Sequence, residues 1–392
     1  MVEWKKIGDI CYISDYVSNG SFASLRENVQ YKSEPDYAIL VRFADYSSGF
    51  DKSKFVYIDE HAYNFLSKSS LKGEEIIMSN VGSCGLYFRC PKLDRKMSLA
   101  PNSIMIRSEH NKYLFHWFGT QRGKEEIKKI TSKSAMPKFN KTEFKKILIP
   151  LPSTIEQERI VSILDTFTSS IDNLKQQIAQ RRKQYEYYRD QLLDLEGKEG
   201  VEMKTLGEIC DFVRGPFGGA LKKEIFVKDG YAVYEQQHAI YGQWYFRYYI
   251  DEKKYLEMKR FEVIPGDILM SCSGTMGKTS IVPPNCVKGI INQALLKLTV
   301  KRCISNYFLK SFMDSQWFQD GLKKQTAGGA IQNVASVSVL KELLIPVPSL
   351  SEQLRIVDIL DKFEASIRNL ENQLSQREKQ YEYYRNKLLT FE

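Results

Sequence analysis

The pattern of apolar and polar positions contains one long helical stretch that occurs twice. Residues 149–193 and residues 345–389 are identical at about two thirds of their positions, without a gap. In each copy the apolar positions recur every four and three residues in turn, which is the heptad pattern of a helix with one narrow apolar face. That face comprises Ile160, Leu164, Phe167, Ile171, Leu174, Ile178, Arg181, Tyr185, Tyr188 and Leu192 in the first copy, and Ile356, Leu360, Phe363, Ile367, Leu370, Leu374, Arg377, Tyr381, Tyr384 and Leu388 in the second.

A helix with one narrow apolar face needs a partner helix, because a globular domain cannot surround so thin a stripe. The other copy is the partner at the highest effective concentration, since both copies belong to one chain. The pattern therefore predicts an intramolecular coiled coil. Pairing between two molecules is the alternative.

Each copy begins with the signals of a helix N-terminus. Ser153 and Glu156 in the first copy, and Ser349 and Glu352 in the second, have the spacing of a capping box. The prolines that precede each serine keep the chain extended up to that point. After the first copy, residues 194–200 contain two glycines and alternating charges, which predicts a helix end and a short linker.

The repeat extends beyond the helices. Residues 2–11 align with residues 201–210, so the repeated unit is about half of the chain. The chain therefore alternates a diverged domain with a repeated helix. We predict a first diverged domain at 1–148, a first helical spacer at 149–196, a second diverged domain at 197–344 and a second helical spacer at 345–392.

The two diverged domains contain short runs of β-forming residues separated by Gly, Pro, Asn and Ser. Helices are predicted near the end of each domain. The pattern thus predicts two α+β domains and leaves their strand order open. The runs lie at residues 37–43, 75–78, 231–234, 267–271 and 289–299, and the helices at 113–119, extended by 124–130, and at 305–323.

Composition narrows the class of protein. Among 392 residues, 27% are charged and 43% hydrophobic, there is no apolar run of about 18 residues, and the first ten residues lack the apolar core of a signal peptide. We therefore expect a cytoplasmic protein with no membrane partner. The net charge of +9 makes an anionic partner plausible. Seven scattered cysteines without a CxxC pair predict free thiols, and the four histidines lack metal-ligand spacing, so no metal site is expected.

The sequence CSGTMGKT at residues 272–279 is the strongest catalytic candidate, because it resembles a phosphate-binding loop. However, Cys272 occupies the first glycine position, and Pro283 and Pro284 would stop the helix that such a loop requires. We predict a glycine-rich turn between two strands, with an enzyme that uses a nucleotide as the alternative. The turn could still hold a DNA phosphate through its backbone N–H groups and Lys278. No other catalytic constellation is present, which predicts a non-catalytic chain.

The loops of both diverged domains interleave cations and amides with aromatic residues and glycine. Glutamine amides have the donor and acceptor pair that reads adenine in the major groove, and cations contact phosphates. An ordinary solvated loop or turn is the alternative at each position. The DNA-binding candidates are Ser79, Asn80, Ser83, Lys138 and Asn140 in the first domain, and Arg214, Lys222, Lys223, Gln236, Gln237, His238, Ser273, Thr275, Lys278, Gln332 and Asn333 in the second.

The sequence QYEYYR closes each repeated helix. Tyr185 and Tyr188 lie on the apolar face, so core packing is their expected role. Other residues of the motif lie off that face, and Tyr and Arg are enriched in subunit contacts. The candidates for contact with another subunit are Tyr187, Arg189, Tyr383 and Arg385.

These motifs resemble one family, the DNA specificity subunit of type I restriction-modification systems. The resemblance rests on the alternating layout, the helix openings at 149–165 and 345–361, the QYEYYR helix ends, and the GDI, SGTMGK and TAGGAIQN segments of the second domain. It covers essentially the full chain. The first domain departs from it at residues 73–77 and near its end.

The resemblance implies two globular α/β target-recognition domains and two long helices that form an intramolecular antiparallel coiled coil with pseudo-two-fold symmetry. It also implies binding of double-stranded DNA at a bipartite, asymmetric target, with the helices setting the spacing. The chain itself would hold no cofactor. Two methyltransferase subunits would bring S-adenosylmethionine, and restriction and translocation subunits would bring ATP and magnesium. The alternative is a coiled-coil scaffold without DNA sequence readout.

Overall fold

The structure is a computed structural model that describes residues 2–273, 275–325 and 336–391. The chain divides into two compact units, which we call unit 1 (residues 1–175 and 373–392) and unit 2 (residues 176–372). Each unit contains one diverged segment and parts of both repeated helices. Within the described residues, none of the helices has the length and hydrophobicity that a bilayer crossing requires.

In unit 1 the diverged segment lies between the first and the last strand of the unit. The unit also includes the end of α15 (Leu350–Leu389). Its elements, in chain order, are β1 (Glu3–Lys6), α1 (Ile7–Ile10), β2 (Tyr12–Asp15), α2 (Phe22–Asn28), β3 (Ala38–Val41), α3 (Phe43–Ser47), β4 (Tyr57–Ile58), α4 (Glu60–Phe65), β5 (Ser70–Leu71), β6 (Ile76–Ser79), β7 (Tyr87–Arg89), β8 (Lys96–Leu99), β9 (Ser103–Arg107), α5 (Asn111–Phe118), α6 (Gln121–Ile130), α7 (Lys141–Phe144), β10 (Leu148–Leu151) and the start of α8 (Thr154–Leu193).

Three sheets organise unit 1. β1 pairs antiparallel with β10, a second sheet has the antiparallel order β2-β9-β6-β7, and a third has the order β4-β3-β8-β5, in which β3 and β8 are parallel. One core cluster joins Ile76 and Ile106 of the second sheet to Trp117 of α5 and Ile160 of α8. The start of the repeated helix is therefore part of the core of this unit.

Unit 2 repeats the same kinds of element. They are the end of α8, β11 (Glu202–Thr205), α9 (Leu206–Ile209), β12 (Cys210–Arg214), β13 (Phe226–Val227), β14 (Tyr231–Tyr234), α10 (Gln236–Tyr241), β15 (Tyr249–Ile250), α11 (Glu252–Glu257), β16 (Glu262–Val263), β17 (Ile268–Ser271), β18 (Thr279–Ile281), β19 (Gly289–Ile291), β20 (Leu295–Val300), α12 (Asn306–Met313), α13 (Gln316–Gln325), α14 (Val337–Lys341), β21 (Leu344–Val347) and the start of α15 (Leu350–Leu389).

Two of the three sheets of unit 2 have the topology of those in unit 1, and the third has one additional strand. β11 pairs with β21, one sheet has the antiparallel order β12-β20-β17-β18, and another has the order β13-β15-β14-β19-β16 with a parallel pair β14 and β19. Strands therefore correspond one to one in the first two sheets. The duplication that the sequence reveals only at the matching ends extends through the diverged segments.

The repeated helices pair antiparallel within each unit. In unit 1, Phe167 stacks on Tyr384 with ring centroids 5.4 Å apart, and Lys175 Nζ lies 3.8 Å from Glu378 Oε1. Residue numbers thus rise along α8 while they fall along α15. All the predicted apolar-face positions are buried or half-buried except Tyr188 and Tyr384.

The same pairing recurs in unit 2. Tyr188 stacks on Phe363 at 5.4 Å, and Arg182 Nη2 lies 2.6 Å from Glu371 Oε1. The predicted intramolecular antiparallel coiled coil and the α+β fold class are confirmed.

The helix starts agree with only half of the predicted capping box. Ser153 Oγ accepts from Glu156 N at 3.4 Å, but the Glu156 carboxylate accepts from the Arg159 guanidinium at 2.6 and 2.8 Å instead of returning to the cap. The buried amide of Gln157 donates to Pro152 O at 2.8 Å and closes the turn in its place. Gln353 makes the equivalent bond to Pro348, and Glu352 pairs with Arg355.

Two predicted elements are each divided in the structure. The helix expected at 305–323 is α12 followed by α13, because Ser315 interrupts it and caps α13 by accepting from Phe318 N at 3.3 Å. The strand expected at 289–299 is β19 followed by β20, which belong to different sheets. Asn292 makes the turn between them, with Oδ1 accepting from Ala294 N at 3.0 Å.

Candidate nucleic-acid interface

The turn between β17 and β18 in unit 2 contains the predicted glycine-rich segment. Ser271 Oγ donates to Thr275 O at 2.6 Å and accepts from Lys278 N at 3.1 Å, so one hydroxyl closes the turn. Gly277 has φ +71°, and a Cβ there would lie 2.6 Å from Leu322 Cδ2 of α13. The turn between two strands is confirmed. Because a strand and not a helix follows residue 278, the arrangement does not fit a nucleotide-binding loop.

Four predicted residues of unit 2 come together at this turn. The Gln236 amide donates to Ser273 O and lies 3.5 Å from Thr275 O. Thr275 and Lys278 are exposed. The structure therefore forms one polar surface from Gln236 and the turn, with the Lys278 cation at its edge.

His238 does not belong to this surface. Its side chain is fully buried, its Nδ1 lies 2.8 Å from Glu235 N and its Nε2 lies 3.0 Å from Tyr245 O. Phe246 stacks on the ring with centroids 4.7 Å apart. The expectation of a base contact at His238 is wrong, because both ring nitrogens are used inside the unit.

The remaining predicted residues of unit 2 surround the turn unevenly. Arg214 is exposed. Burial raises the pKa of the Cys272 thiol to about 11, and the Arg214 guanidinium partly opposes this rise. Lys222 and Lys223 are exposed at the other end of the same loop. The Gln237 side chain is half-buried. Gln332 and Asn333 lie outside the described residues.

In unit 1 the two predicted loops lie against each other. Phe139 N donates to Asn80 O at 3.1 Å, and Gly82 N donates to Pro137 O at 2.8 Å. A bridge also joins Val81 to Lys138. The structure therefore brings Asn80 and Ser83 together with Lys138 and Asn140.

Within that cluster only some side chains are available to a ligand. Ser79 is buried and donates to Val81 O at 3.0 Å, and Asn140 caps α7 by accepting from Glu143 N at 2.8 Å. The turn and cap roles account for these two residues. Ser83 and Lys138 are exposed.

The turns of the two units are equivalent. β6 and β7 correspond to β17 and β18, and Gly85 (φ +85°) lies under Ile127 of α6 as Gly277 lies under α13. Each unit thus has a loop surface at the corresponding turn of the same sheet topology. The residues that form this surface differ between the two units. Among the described residues, no three His, Cys, Asp or Glu side chains converge closely enough to hold a metal ion.

The residues predicted to contact another subunit divide into two kinds. Tyr187 and Tyr383 are 59% and 58% exposed. Arg189 instead pairs with Asp190 at 2.9 Å, and the Arg385 guanidinium lies 4.8 Å from the Tyr381 ring centroid. Both arginines are turned inward, so the outward orientation expected for them is not found.

Asp190 and Asn386, which follow these two arginines, are not among the predicted residues. Asp190 Oδ1 accepts from Gln316 N at 3.2 Å, at the start of α13, and Asn386 Oδ1 accepts from Gln121 N at 3.0 Å, at the start of α6. Each repeated helix therefore ends by capping a helix of a diverged segment. The only sequence signal is a short polar residue at the same place in both copies.

A buried histidine fastens α5 to both long helices in unit 1. His116 is 1% exposed, its Nε2 lies 2.8 Å from Asp165 Oδ1, and its Nδ1 lies 2.9 Å from Tyr381 Oη. The hydrogen bond from His116 holds the pKa of Asp165 below its usual range, against the effect of burial. In unit 2 the residue equivalent to Tyr381 is Tyr185, which donates to Glu364 Oε1 at 3.0 Å.

Replacing His116 by alanine is expected to lower the free energy of unfolding of unit 1 by about 3 kcal/mol, because it leaves a cavity and removes two buried hydrogen bonds. Urea denaturation combined with hydrogen exchange of α5 measures this loss. His61→Ala is the control, since His61 is exposed and makes one side-chain bond, to Asn28. Equal protection of α5 in both variants would contradict the prediction.

Comparison of sequences identifies relatives for both halves of the chain. The family described as type I restriction modification DNA specificity domain matches residues 1–181 and residues 198–378. The specificity subunit of a type I restriction enzyme of Escherichia coli is 30% identical over 307 residues, covering 71% of this chain and 70% of that protein. A putative type I restriction enzyme specificity subunit of Haemophilus influenzae is 26% identical over 413 residues, covering 100% of this chain and 96% of that protein.

Solved structures resemble the fold. The S subunit of a type I restriction-modification system from M. genitalium has a TM-score of 0.56 at 15% identity, covering 100% of this chain and 97% of that one. A chain from a structure of a type I restriction-modification system has a TM-score of 0.64 at 17% identity, covering 99% of this chain and 97% of that one. Since the same family matches both halves, and each half has one repeated helix and one diverged α+β segment, the chain belongs to the type I restriction-modification DNA specificity family.

Proposed function

We propose that the chain is the non-catalytic specificity subunit of a type I restriction-modification complex, and that it recognises a bipartite, asymmetric sequence in double-stranded DNA. One observation carries this proposal: the two units share a topology but present different residues on the corresponding loop surface. Two surfaces of different chemistry would select two different half-sites. A target with two unlike halves follows.

The chemistry of each surface suits a DNA duplex. In unit 2 the turn, which the Gln236 amide holds, offers a hydroxyl at Thr275 and a cation at Lys278. Amides and hydroxyls contact base edges, whereas cations contact phosphates. In unit 1 Ser83 and Lys138 offer the same two classes of contact. We assign target recognition to residues 1–148 and 197–344, and spacing to the helical segments 149–196 and 345–392.

Partner subunits would supply the chemistry of the complex. Unit 2 has a concavity of about 700 Å³ whose lining includes Tyr187, Trp317 and Met203. All three side chains are substantially exposed, which suits contact with another protein. We propose that two methyltransferase subunits dock on the helical segments and bring S-adenosylmethionine, and that restriction and translocation subunits bring ATP and magnesium. No cofactor is assigned to this chain.

Co-expression with the methyltransferase subunit encoded beside it is expected to produce adenine methylation at a single motif with two unlike halves and an unread gap. Single-molecule sequencing of the host genome measures this directly. The purified complex should also bind the motif duplex more tightly than a scrambled duplex, with an affinity that falls as salt rises. An assembled complex that methylates without any motif would favour the scaffold alternative.

A further inference from the structure

Each unit exposes one phenylalanine in the segment that follows one of two corresponding strands. Phe22 follows β2 in unit 1, and Phe217 follows β12, the strand that corresponds to β2 in unit 2. Their side chains are 81% and 94% exposed. Burial of a phenylalanine side chain is stabilising in proportion to the apolar area that leaves water. Exposure of both side chains therefore leaves this contribution available to a ligand.

The backbone below each ring is fixed. In unit 1, Ser21 Oγ accepts from Ser24 N at 3.2 Å, and the buried Leu25 begins the packing of α2. In unit 2, Gly215 N donates to Leu295 O at 2.9 Å, and Pro216 is buried. Each ring thus projects from an anchored segment, which keeps the loss of conformational entropy on binding small.

Cations are close in the sequence to both phenylalanines. In unit 1 the exposed Arg26 lies one turn beyond Phe22 on α2, and both line a concavity of about 500 Å³ together with Asn80 and Val81 of the turn. The ring is therefore next to the loop surface of its own unit.

The arrangement in unit 2 is similar. The exposed Arg214 precedes Phe217 by three residues. It is close enough to Cys272, at the start of the turn, to oppose the rise that burial causes in the pKa of that thiol. The exposed Lys222 and Lys223 follow. Cations that flank an exposed aromatic ring complement the alternation of phosphates and bases in DNA.

We propose that Phe22 and Phe217 are base-stacking residues, each of which inserts against a base step of the half-site bound by its unit and partly unstacks it. This inference rests on the proposed function. Apolar side chains that enter a base step unstack it and bend the duplex, while neighbouring cations hold the displaced phosphates. Each unit would then distort its half-site as well as contact it.

The test uses the complex of the full chain with its methyltransferase partner, and target duplexes in which 2-aminopurine replaces one purine at a time. Binding by the unaltered complex should raise the fluorescence at one step in each half-site. Phe217→Ala should remove the rise in one half-site and weaken binding about tenfold, and Phe22→Ala should do the same for the other half-site. Phe217→Trp should preserve the rise.

Two matched controls separate stacking from a general loss of exposed apolar surface. Leu256→Ala and Ile264→Ala remove side chains of unit 2 that are 58% and 44% exposed and lie outside the helical segments proposed to dock the methyltransferase, and both should keep the fluorescence rise in both half-sites. Phenylalanine variants that keep the rise and the affinity would overturn the inference, as would variants that fail instead to assemble with the methyltransferase. If the unaltered complex discriminated no duplex, the proposed function itself would fail.

Discussion

Replacing Gly215 by alanine is expected to destabilise unit 2 by about 3 kcal/mol and to abolish recognition of one half of the target. A Cβ at this position would lie 1.8 Å from Asn292 O and 2.6 Å from Asn292 C. Both atoms belong to the backbone of the turn between β19 and β20, so no side chain can move to relieve the contact. The strand β12 would have to shift away from β20.

Hydrogen exchange of β12 and β20 measures the first effect, and half-site binding measures the second. Gly219→Ala is the matched control in the same loop, because a Cβ there would meet nothing within 4 Å. Unit 1 should keep its exchange protection in both variants. The prediction is wrong if Gly215→Ala and Gly219→Ala have the same protection in β12.

Exchanging residues 210–343 for the corresponding segment of another family member should change one half of the recognised motif completely and leave the other half unaltered. The sheets β12-β20-β17-β18 and β13-β15-β14-β19-β16 are formed entirely within this segment. The strands β11 and β21, which flank it, have direct counterparts in β1 and β10. The exchanged segment is therefore joined to flanking strands that pair in the same way in both units.

Methylation mapping in cells reports both halves of the motif in one experiment. The reciprocal exchange, of the diverged segment of unit 1, should change only the other half. A variant that assembles with the methyltransferase and alters both halves would exclude independent recognition by the two units.

The helix pair could be predicted in detail because its evidence is local and periodic. A sustained heptad pattern in two copies predicts the element, favours a partner within the chain and identifies most of the positions that become buried. The failure at the capping box has a specific cause. Arg159 lies three residues beyond Glu156 and binds its carboxylate. The capping-box spacing considers only Ser153 and Glu156, so it does not take this competing arginine into account.

The candidate site could be predicted only in part. The glycine-rich turn is encoded locally, by Gly277 and the Ser271 hydroxyl, and so it was recognisable. The burial of His238 depends on Trp244 and Phe246, which pack around it from a loop that sequence patterns do not place. The inward position of Arg385 likewise depends on its contact with the Tyr381 ring, one turn earlier in the helix. The heptad pattern allows the arginine either to stack on that ring or to point outward.

The equivalence of the diverged segments was not predictable from one sequence. Topology is determined by which strands pair across long separations, and residues that differ completely can form the same ladder. Only the matching ends, which pack on the repeated helices, retain similar residues.

The division of the chain into units also has a consequence for synthesis on the ribosome. Unit 2 is one continuous stretch, residues 176–372, and can close its core once α15 has emerged as far as residue 372. Unit 1 needs residues 373–392, which are translated after all of unit 2, and until then His116 lacks Tyr381. We therefore expect unit 2 to fold before unit 1. Until then the core of unit 1 is incomplete, and we expect chaperones to bind this part of the nascent chain.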